Sequence, residues 1–377
     1  MKGKVVCWML VILFVTVVVF PGLIMIAGYR SDQNTAENRV LAEMPEFSLS
    51  RFSEYPEQFD LFVNDHFPFR VQLTSAYSLM GYLLQSSLNE NVILGDDGWL
   101  FYNNINDGAA FNTLYGRVVW NEERIVSAAE WLQEKADRLK SKGIDFLVLI
   151  PPDKERIYAE KLQRKYGEAS ENRPVKQLLE YIENQTDVRM VYLLDALQDA
   201  KRERPEDTLY YKLDTHWNDL GAYFGVSRLA EELGIDPFPP VTETQVIYEE
   251  SEQSARDLAD MMGIGKYLGR DRIYSVHGYS DSPEKEKTSW DYIVTNEDFY
   301  GSVRTENDEG DSRKLLVIRD SFGTAMIPYF ATKFQQTVQI HQKSFSWSDI
   351  EKEEPDIVIY EIVERSLPVI DWIPEIR

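Results

Sequence analysis

Short apolar runs alternate along this chain with segments of helical periodicity, and that alternation restricts the fold more than any other feature. A run that is apolar at every position is typical of a strand buried on both faces of a parallel sheet. The predicted strands are Ile144–Ile150, Val188–Leu193, Lys314–Ile318, Thr337–His341 and Asp356–Val363. The predicted helices are Val118–Lys140, Val175–Asn184, Leu220–Leu233 and Phe322–Phe334. The pattern predicts an α/β fold in which a mostly parallel sheet is sandwiched by helices.

The N-terminus has a different composition. The run Val5–Ala27 has no charged residue and is long enough to cross a bilayer core as a helix. Lys2 and Lys4 precede it, which favours a cytoplasmic N-terminus, although Arg30 follows closely. A cleaved signal peptide is the alternative, but the run is long for one and no small-residue cleavage motif follows. Residues 1–28 are therefore predicted to be a cytoplasmic tip and an uncleaved transmembrane signal anchor of a single-pass cell-membrane protein.

Three further segments are predicted, all of them outside the cytoplasm. Residues 29–58 are polar and contain helix breakers, so they are predicted to form a stalk. Residues 59–377 carry the alternating strands and helices of one globular domain. Within that domain, residues 236–300 are rich in Pro, Asp, Ser and Tyr and are predicted to be an irregular insertion.

Charge and cysteine content exclude several classes of protein. The chain has 63 acidic and 40 basic residues and a formal net charge of −23. Binding of nucleic acid requires a basic surface for the phosphates, so no nucleic-acid partner is predicted. The single cysteine, Cys7, lies in the apolar N-terminal run, and no intramolecular disulfide can form. The domain must be stabilised by its core, which is feasible for a chain of 377 residues.

Ser321 lies directly between a predicted strand and a predicted helix. In an open α/β sheet this junction is at the carboxyl edge, where functional sites form. Backbone N–H groups at the start of a helix are free to hold a developing oxyanion. The alternative interpretation is that Asp320 or Ser321 only caps the helix, which is a common role for these residue types.

Asp214 and His216 form a second candidate, two residues apart in the segment before Leu220–Leu233. A serine needs a nearby base to act as a nucleophile, and histidine suits that role because its pKa lies near neutrality. A carboxylate would fix the tautomer and orientation of the ring. The alternative is that Asp214 caps the following helix and His216 is a packed side chain.

No metal or cofactor is predicted. The remaining histidines are His66, His277 and His341, and no two histidines have the spacing of metal ligands on one element. The sequence also contains no thiolate cluster, no phosphate-binding Gly-rich loop and no G-x-S-x-G elbow.

Five motifs in a fixed order carry a resemblance to a known family. They are NDHFPFR (Asn64–Arg70), GDDGWLFY (Gly95–Tyr102), PPDKERIY (Pro151–Tyr158), LDTHWN (Leu213–Asn218) and RDSFG (Arg319–Gly323). In this order they resemble the AlgX/AlgJ-like SGNH acyltransferases and the related bacterial DHHW proteins. The segment Asp257–Gly263 matches a further recurring feature of the family. The resemblance extends from about residue 40 to the C-terminus, and the ordered set is specific where a single motif would be weak.

The resemblance implies a permuted SGNH domain in which the aspartate and histidine precede the serine. Carried over by motif, the catalytic residues are Asp214, His216 and Ser321. The alginate members transfer acetyl groups onto exopolysaccharide hydroxyls beside a membrane-bound O-acyltransferase. The implied partners are therefore that acyltransferase as acyl donor, a polysaccharide acceptor and the cytoplasmic membrane.

This sequence departs from the family pattern at several positions. Arg319 replaces the glycine that precedes the aspartate in many SGNH proteins, and Thr215 stands where DHHW proteins have a second histidine. The weak candidates for substrate binding are Arg319, Trp217 and Arg365. The aromatic ring of Trp217 is also a plausible core residue, and an ion pair that supports the fold explains Arg365 equally well.

The resulting expectation is an extracytoplasmic serine-dependent O-acyltransferase that O-acetylates a cell-surface or secreted polysaccharide through an acyl-Ser321 intermediate. Because acetyl-CoA is cytosolic, a membrane partner would have to supply the acyl group. A carbohydrate acetyl esterase with the same three residues is one alternative. A non-catalytic polysaccharide-binding protein of the assembly machinery is the other.

Overall fold

The computed structural model of the protein describes most of the chain. The described residues are 2–28, 41–86, 89–103, 110–162, 166–241, 246–251, 256–276, 279, 290–294 and 302–371. The chain divides into two compact units, Met1–Asn89 with Ala259–Leu268 and Glu90–Leu258 with Gly269–Arg377. The predicted boundaries at residues 28 and 58 and the predicted extents of the stalk and of the insertion stay predictions.

The first unit contains the apolar N-terminal helix α1 (Lys2–Ile26) and the helices α2 (Tyr55–Asp65) and α3 (Arg70–Leu83). The apolar stretch Val5–Ile26 of α1 has the length and composition needed to cross a membrane. The prediction of an N-terminal helix long and apolar enough to span a membrane is confirmed, and its role as an uncleaved single-pass anchor stays a prediction. Residues 29–40 of the predicted stalk lie outside the described residues.

Sequence analysis did not predict α2 and α3. The Asp65 carboxylate accepts a hydrogen bond from the Ala42 N–H, and the Ser75 hydroxyl donates to the Gly263 carbonyl. The outward face of α3 carries apolar side chains that are half-exposed or more, namely Leu73, Tyr77, Met80 and Leu83. These four positions recur at the spacing of one helix face, so the periodicity of α3 was present in the sequence and the sequence analysis missed it.

The second unit is built on a mixed sheet. Its strands are β3 (Asp145–Ile150), β4 (Arg189–Tyr192), β7 (Trp290–Val294), β8 (Val303–Asn307), β9 (Leu315–Arg319), β10 (Gln336–His341) and β11 (Ile357–Glu361). Among the described residues these seven strands are ordered β4-β3-β11-β9-β10-β8-β7. The neighbours from β4 to β10 are parallel, and β8 and β7 are added antiparallel at one edge. The predicted mostly parallel sheet is confirmed.

Helices cover both faces of this sheet, as predicted. The helices of the described chain after α3 are α4 (Ala110–Leu114), α5 (Glu122–Lys140), α6 (Lys154–Ile157), α7 (Pro174–Gln185), α8 (Leu194–Glu203), α9 (Asp219–Leu233), α10 (Asp257–Met261), α11 (Ile327–Lys333) and α12 (Trp347–Glu353). Successive side chains of a strand point to opposite faces. Leu315 and Val317 of β9 pack in the core with α8, α9 and α11, whereas Leu316 and Ile318 pack with α5, α7 and α12.

Two helix boundaries differ from their predictions for local reasons. The helix predicted at Val118–Lys140 begins at Glu122, because the Asn121 side chain accepts the Arg124 N–H and caps it there. The helix predicted at Phe322–Phe334 is a 3₁₀ segment, Phe322–Met326, followed by α11. Pro328 lies in the first turn of α11, where its missing N–H costs nothing.

The second unit also contains two small antiparallel strand pairs. The hairpin β1 (Val92–Leu94) and β2 (Leu100–Tyr102) is one, and β5 (Val246–Ser251) with β6 (Asp271–Val276) is the other. Strands β5 and β6 fall within residues 236–300, so the segment predicted to be an irregular insertion contains regular elements.

Candidate active site

Ser321 follows β9, a central strand of the sheet, and its side chain is exposed. The Asp320 Oδ1 atom accepts the Phe322 N–H at 2.8 Å, whereas the Ser321 side chain makes no capping hydrogen bond. Asp320 therefore holds the turn and leaves the Ser321 hydroxyl available. The interpretation of Ser321 as a cap does not hold.

The structure brings His216 to Ser321 over a sequence separation of 105 residues. The His216 Nε2 atom lies 2.8 Å from Ser321 Oγ, and its Nδ1 atom lies 2.7 Å from Asp214 Oδ1. The same Asp214 oxygen accepts the His216 backbone N–H at 2.9 Å. Helix α9 is capped by Asn218, so Asp214 is not its cap. The three residues form one hydrogen-bonded chain that ends at an exposed hydroxyl.

The charges along this chain favour an ionised aspartate beside a basic histidine. Burial alone would raise the pKa of Asp214, but the hydrogen bond and positive charge of His216 outweigh it and lower that pKa to about 2. Burial alone would lower the pKa of His216, and the hydrogen bond to Asp214 outweighs it, so the net effect raises that pKa. This is the arrangement that stabilises an imidazolium formed when the ring takes a proton from Ser321.

Lys154 supports the loop that carries Asp214, and sequence analysis assigned this lysine no role. The residue is 1% exposed, and its ammonium group donates three hydrogen bonds, to the carbonyl oxygens of Leu100, Lys212 and Asp214. Burial lowers the pKa of Lys154 to about 8, against the attraction of neighbouring acids led by Glu155. The buried cation therefore ties the β1–β2 hairpin to the loop that carries His216.

Trp217 is a core residue. Its side chain is 2% exposed, and its Nε1–H donates to the Phe322 carbonyl at 2.9 Å. The Phe322 ring in turn lies with its centroid 5.0 Å from that of His216. Trp217 therefore fixes the serine turn against the histidine loop, and its ring is not accessible to a sugar, contrary to the sequence-based suggestion.

The two arginine candidates occupy different positions. Arg319 is buried and donates to the Asp320 carbonyl and to the Thr324 hydroxyl, so it supports the turn. The guanidinium of Arg365 stacks over the Phe322 ring, 5.1 Å from its centroid, and also over the ring of Tyr102. Of the two arginines, Arg365 is the one that acts on His216, because its positive charge lowers the pKa of that histidine.

A second carboxylate, Asp257, lies beside His216. The ligand atoms of Asp214, His216 and Asp257 all lie within 4.8 Å of one another, a spacing that a metal ion could use. Both carboxylates already accept hydrogen bonds from the protein, and both nitrogens of His216 lie at hydrogen-bonding distance from partners. The donor set is thus committed to hydrogen bonding, and the absence of a metal stays a prediction.

Comparison with known families identifies the domain. Residues 92–290, just over half of the chain, match the family model described as "SGNH hydrolase-like domain, acetyltransferase AlgX". The chain belongs to this AlgX family. The resemblance carried by the five sequence motifs is thereby confirmed.

Individual relatives of this AlgX-family chain are distant. A protein of Pseudomonas syringae pv. tomato named "Probable alginate O-acetylase AlgJ" is 21% identical over 238 residues, which cover 61% of this chain and 56% of that relative. A Pseudomonas fluorescens protein of the same name is 26% identical over 202 residues, covering 52% of this chain and 47% of the relative. The chain therefore spans about half the length of the curated relatives it matches.

Solved structures support the fold. Bacillus cereus PatB1 superposes with a TM-score of 0.51 at 17% identity, covering 74% of this chain and 97% of PatB1. A DHHW family protein from Eubacterium siraeum superposes with a TM-score of 0.51 at 16% identity, covering 76% of this chain and 99% of that protein. At these identities the likeness shows an SGNH-like fold.

Proposed function

We propose that this chain is an extracytoplasmic O-acetyltransferase that transfers an acetyl group through Ser321 onto a hydroxyl of a cell-surface or secreted polysaccharide. The observation that carries the proposal is the hydrogen-bonded chain from Asp214 through His216 to the exposed hydroxyl of Ser321. Membership of the AlgX family and relatives named as probable alginate O-acetylases support acetyl as the acyl group and a polysaccharide as the acceptor.

In the first half-reaction, His216 Nε2 takes the proton of the Ser321 hydroxyl while Oγ bonds to the carbonyl carbon of an acetyl ester or thioester. Asp214 stabilises the imidazolium that forms. The tetrahedral intermediate collapses when the bond to the leaving oxygen or sulfur breaks and His216 returns the proton to that atom. The products are acetyl-Ser321 and the free alcohol or thiol.

The developing oxyanion needs N–H donors at the serine. The backbone N–H of Phe322 is not available, because Asp320 Oδ1 accepts it. The backbone N–H of Ser321 makes no hydrogen bond within the described part of the chain. We therefore assign Ser321 N–H as one donor of the oxyanion hole.

In the second half-reaction, His216 takes the proton of an acceptor hydroxyl, whose oxygen attacks the acetyl carbon. Ser321 leaves with the proton returned by His216, and the acetyl group ends on the acceptor. If the site lies outside the cytoplasm, acetyl-CoA cannot reach it, and a membrane-bound O-acyltransferase would hand over the acetyl group. The apolar stretch Val5–Ile26 would hold the chain beside such a partner.

The test uses the full-length chain in detergent with a fluorophosphonate probe and a chromogenic acetyl ester. Ser321→Ala and His216→Ala are each expected to lower kcat by about 10⁴-fold or more, since removal of either group removes nucleophilic attack. Ser344→Ala is the matched control, an exposed serine in the turn after β10, and should label and turn over like the unmodified chain.

Oligosaccharide acceptors added to the same assay separate transfer from hydrolysis. Acetylated oligosaccharide formed at the expense of free acetate supports a transferase, and acetate alone supports an acetyl esterase. A folded, unmodified chain that neither labels nor turns over the ester would overturn the catalytic proposal in favour of a polysaccharide-binding protein.

A further inference from the structure

Asp257 forms hydrogen bonds with Asp214 and Thr215, whose side chains lie beside the Nδ1 atom of His216. It is the first residue of α10, and its own N–H donates to Asp214 Oδ2 at 2.8 Å. Its carboxylate accepts the Thr215 N–H at 2.8 Å and the Thr215 hydroxyl at 2.6 Å. The Asp257 Oδ2 atom lies 3.8 Å from His216 Nδ1. A segment distant in sequence thus brings a second carboxylate behind the ring.

The direction of these hydrogen bonds determines which nitrogen of His216 carries the proton. A threonine hydroxyl has one proton, and Thr215 donates it to Asp257 Oδ2. The Thr215 Oγ1 atom also lies 3.2 Å from His216 Nδ1, and only its lone pairs remain for that contact. Nδ1 must therefore be the protonated nitrogen, with its N–H shared between Asp214 Oδ1 and Thr215 Oγ1.

We infer that Asp257 is a positioning residue of the acyl-transfer site, which acts through the Thr215 hydroxyl to hold His216 in the Nδ1–H tautomer with its Nε2 lone pair directed at Ser321. The catalytic consequence of this inference rests on the proposed function. The tautomer of His216 does not, because it is a property of the ground state and can be measured without any reaction. Asp257 touches no reacting atom. It determines the direction in which the Thr215 hydroxyl, which contacts His216, donates its proton.

The charge of Asp257 has a second effect, on the acidity of His216. The groups that face the ring are Asp214 and Asp257, which favour the charged imidazolium, and Arg365, which opposes it together with burial. Removal of the Asp257 charge should lower the pKa of His216. Because His216 must be neutral to accept the Ser321 proton, the acid limb of kcat/KM should then move to lower pH.

The kinetic test compares Asp257→Asn, Thr215→Val and the double variant. In Asp257→Asn the amide can donate to Thr215, whose proton is then free to point at Nδ1 and to disturb the hydrogen bond between Nδ1 and Asp214. We expect kcat to fall about 10- to 100-fold, as for the loss of one hydrogen bond to a charged group, with little change in KM. In the Thr215→Val background the same Asp257→Asn change should lower kcat less than three-fold. Thr215→Ser, which keeps the hydroxyl, is the matched control.

A separate readout does not depend on acyl transfer. The ¹⁵N chemical shifts of selectively labelled histidine distinguish the two tautomers, and the chain has only four histidines to assign. We expect the Nδ1–H form for His216 in both proteins, because Asp214 Oδ1 still accepts from Nδ1, with an Nδ1 shift that changes in Asp257→Asn as the Thr215 oxygen stops accepting from it. If the shifts agree but no ester is turned over, the proposed function fails and the positioning role survives. Unchanged shifts and an unchanged pH profile in a folded Asp257→Asn variant would overturn the inference, as would multiplicative losses in the double variant.

Discussion

The two loops that meet at the candidate site are held in opposite ways. The Ser321 turn continues a central strand, and its backbone is fixed by acids from the same sheet. The His216 loop belongs to no strand of that sheet, and a buried cation and acids from distant segments hold it. The first loop is therefore placed by its neighbours in the sheet, and the second by side chains that are 42 to 60 residues away in the sequence.

Acidic side chains bind the backbone of the serine turn. The two oxygens of Asp320 accept the N–H groups of Phe322 and Val363, each at 2.8 Å. The Asp320 N–H donates in turn to Glu361 Oε2 at the end of the neighbouring strand β11. The turn thus depends on residues that the strand pairing already brings together.

The histidine loop is assembled from further away. Lys154 donates to the carbonyl groups of Lys212 and Asp214, and the Asp271 carboxylate accepts the N–H groups of Lys212 and Leu213. Asp257 accepts from the next residue along, Thr215. Because three separate segments each contribute one polar side chain, loss of one should displace this loop while the sheet remains folded.

The strongest test of this contrast is Lys154→Met. Methionine nearly matches the length of the lysine side chain but removes the hydrogen bonds to the carbonyl groups of Leu100, Lys212 and Asp214, of which only Lys212 keeps a further donor, the Leu100 N–H, among the described residues. We expect a loss of about 3 kcal/mol or more in the free energy of unfolding, and kcat lowered more than about 100-fold, because buried acceptors without partners are costly. Chemical denaturation and ester turnover measure the two effects.

Lys161→Met provides the matched control for that substitution. Lys161 forms an ion pair with Asp97 at the surface, and such a pair contributes at most about 1 kcal/mol. An Lys154→Met variant as stable and active as Lys161→Met would show that the histidine loop does not need its buried cation.

A pair of isosteric substitutions tests the two acids that hold the serine turn, Asp320 and Glu361. Burial, together with the negative charge of Asp320, raises the pKa of Glu361 well above its usual range. Glu361→Gln should therefore be tolerated to within about 1 kcal/mol, since glutamine resembles the protonated acid. Asp320→Asn should cost about 1–3 kcal/mol, because its amide group would face an N–H that needs an acceptor.

The same pair gives a pH dependence with a definite sign. A glutamate whose folded pKa is raised contributes stability that is fully present below the unfolded value of about 4.5 and is lost as pH rises towards the folded pKa. The difference in unfolding free energy between the unmodified chain and Glu361→Gln should therefore shift in favour of the variant from pH 4.5 to pH 7.5. A constant difference over this range would mean that Glu361 ionises normally in the folded protein.

The contrast between the two loops also explains which parts of the site could be predicted from the sequence. The serine turn was located from a strand pattern followed by Asp320 and Ser321, because a strand end fixes its position at the sheet edge. The D-x-H pair was recognised by type and motif. The roles of Lys154 and Asp257 were not predicted, although both lie in quoted motifs, because no periodicity records a contact between segments that far apart. Nor could a pattern show that Trp217 faces the core.

The smallest expected effect concerns Arg365, which acts on the histidine loop from the serine side. Its positive charge lowers the pKa of His216, so Arg365→Gln should raise that pKa and move the acid limb of kcat/KM to higher pH by less than about one unit. Asp257→Asn should move the limb the other way. Arg365→Lys keeps the charge and is the matched control. Equal shifts of the acid limb in Arg365→Gln and Arg365→Lys would mean that stacking on Phe322 matters and that charge does not. A shift in Arg365→Gln alone would mean that charges from both loops set the pKa of His216.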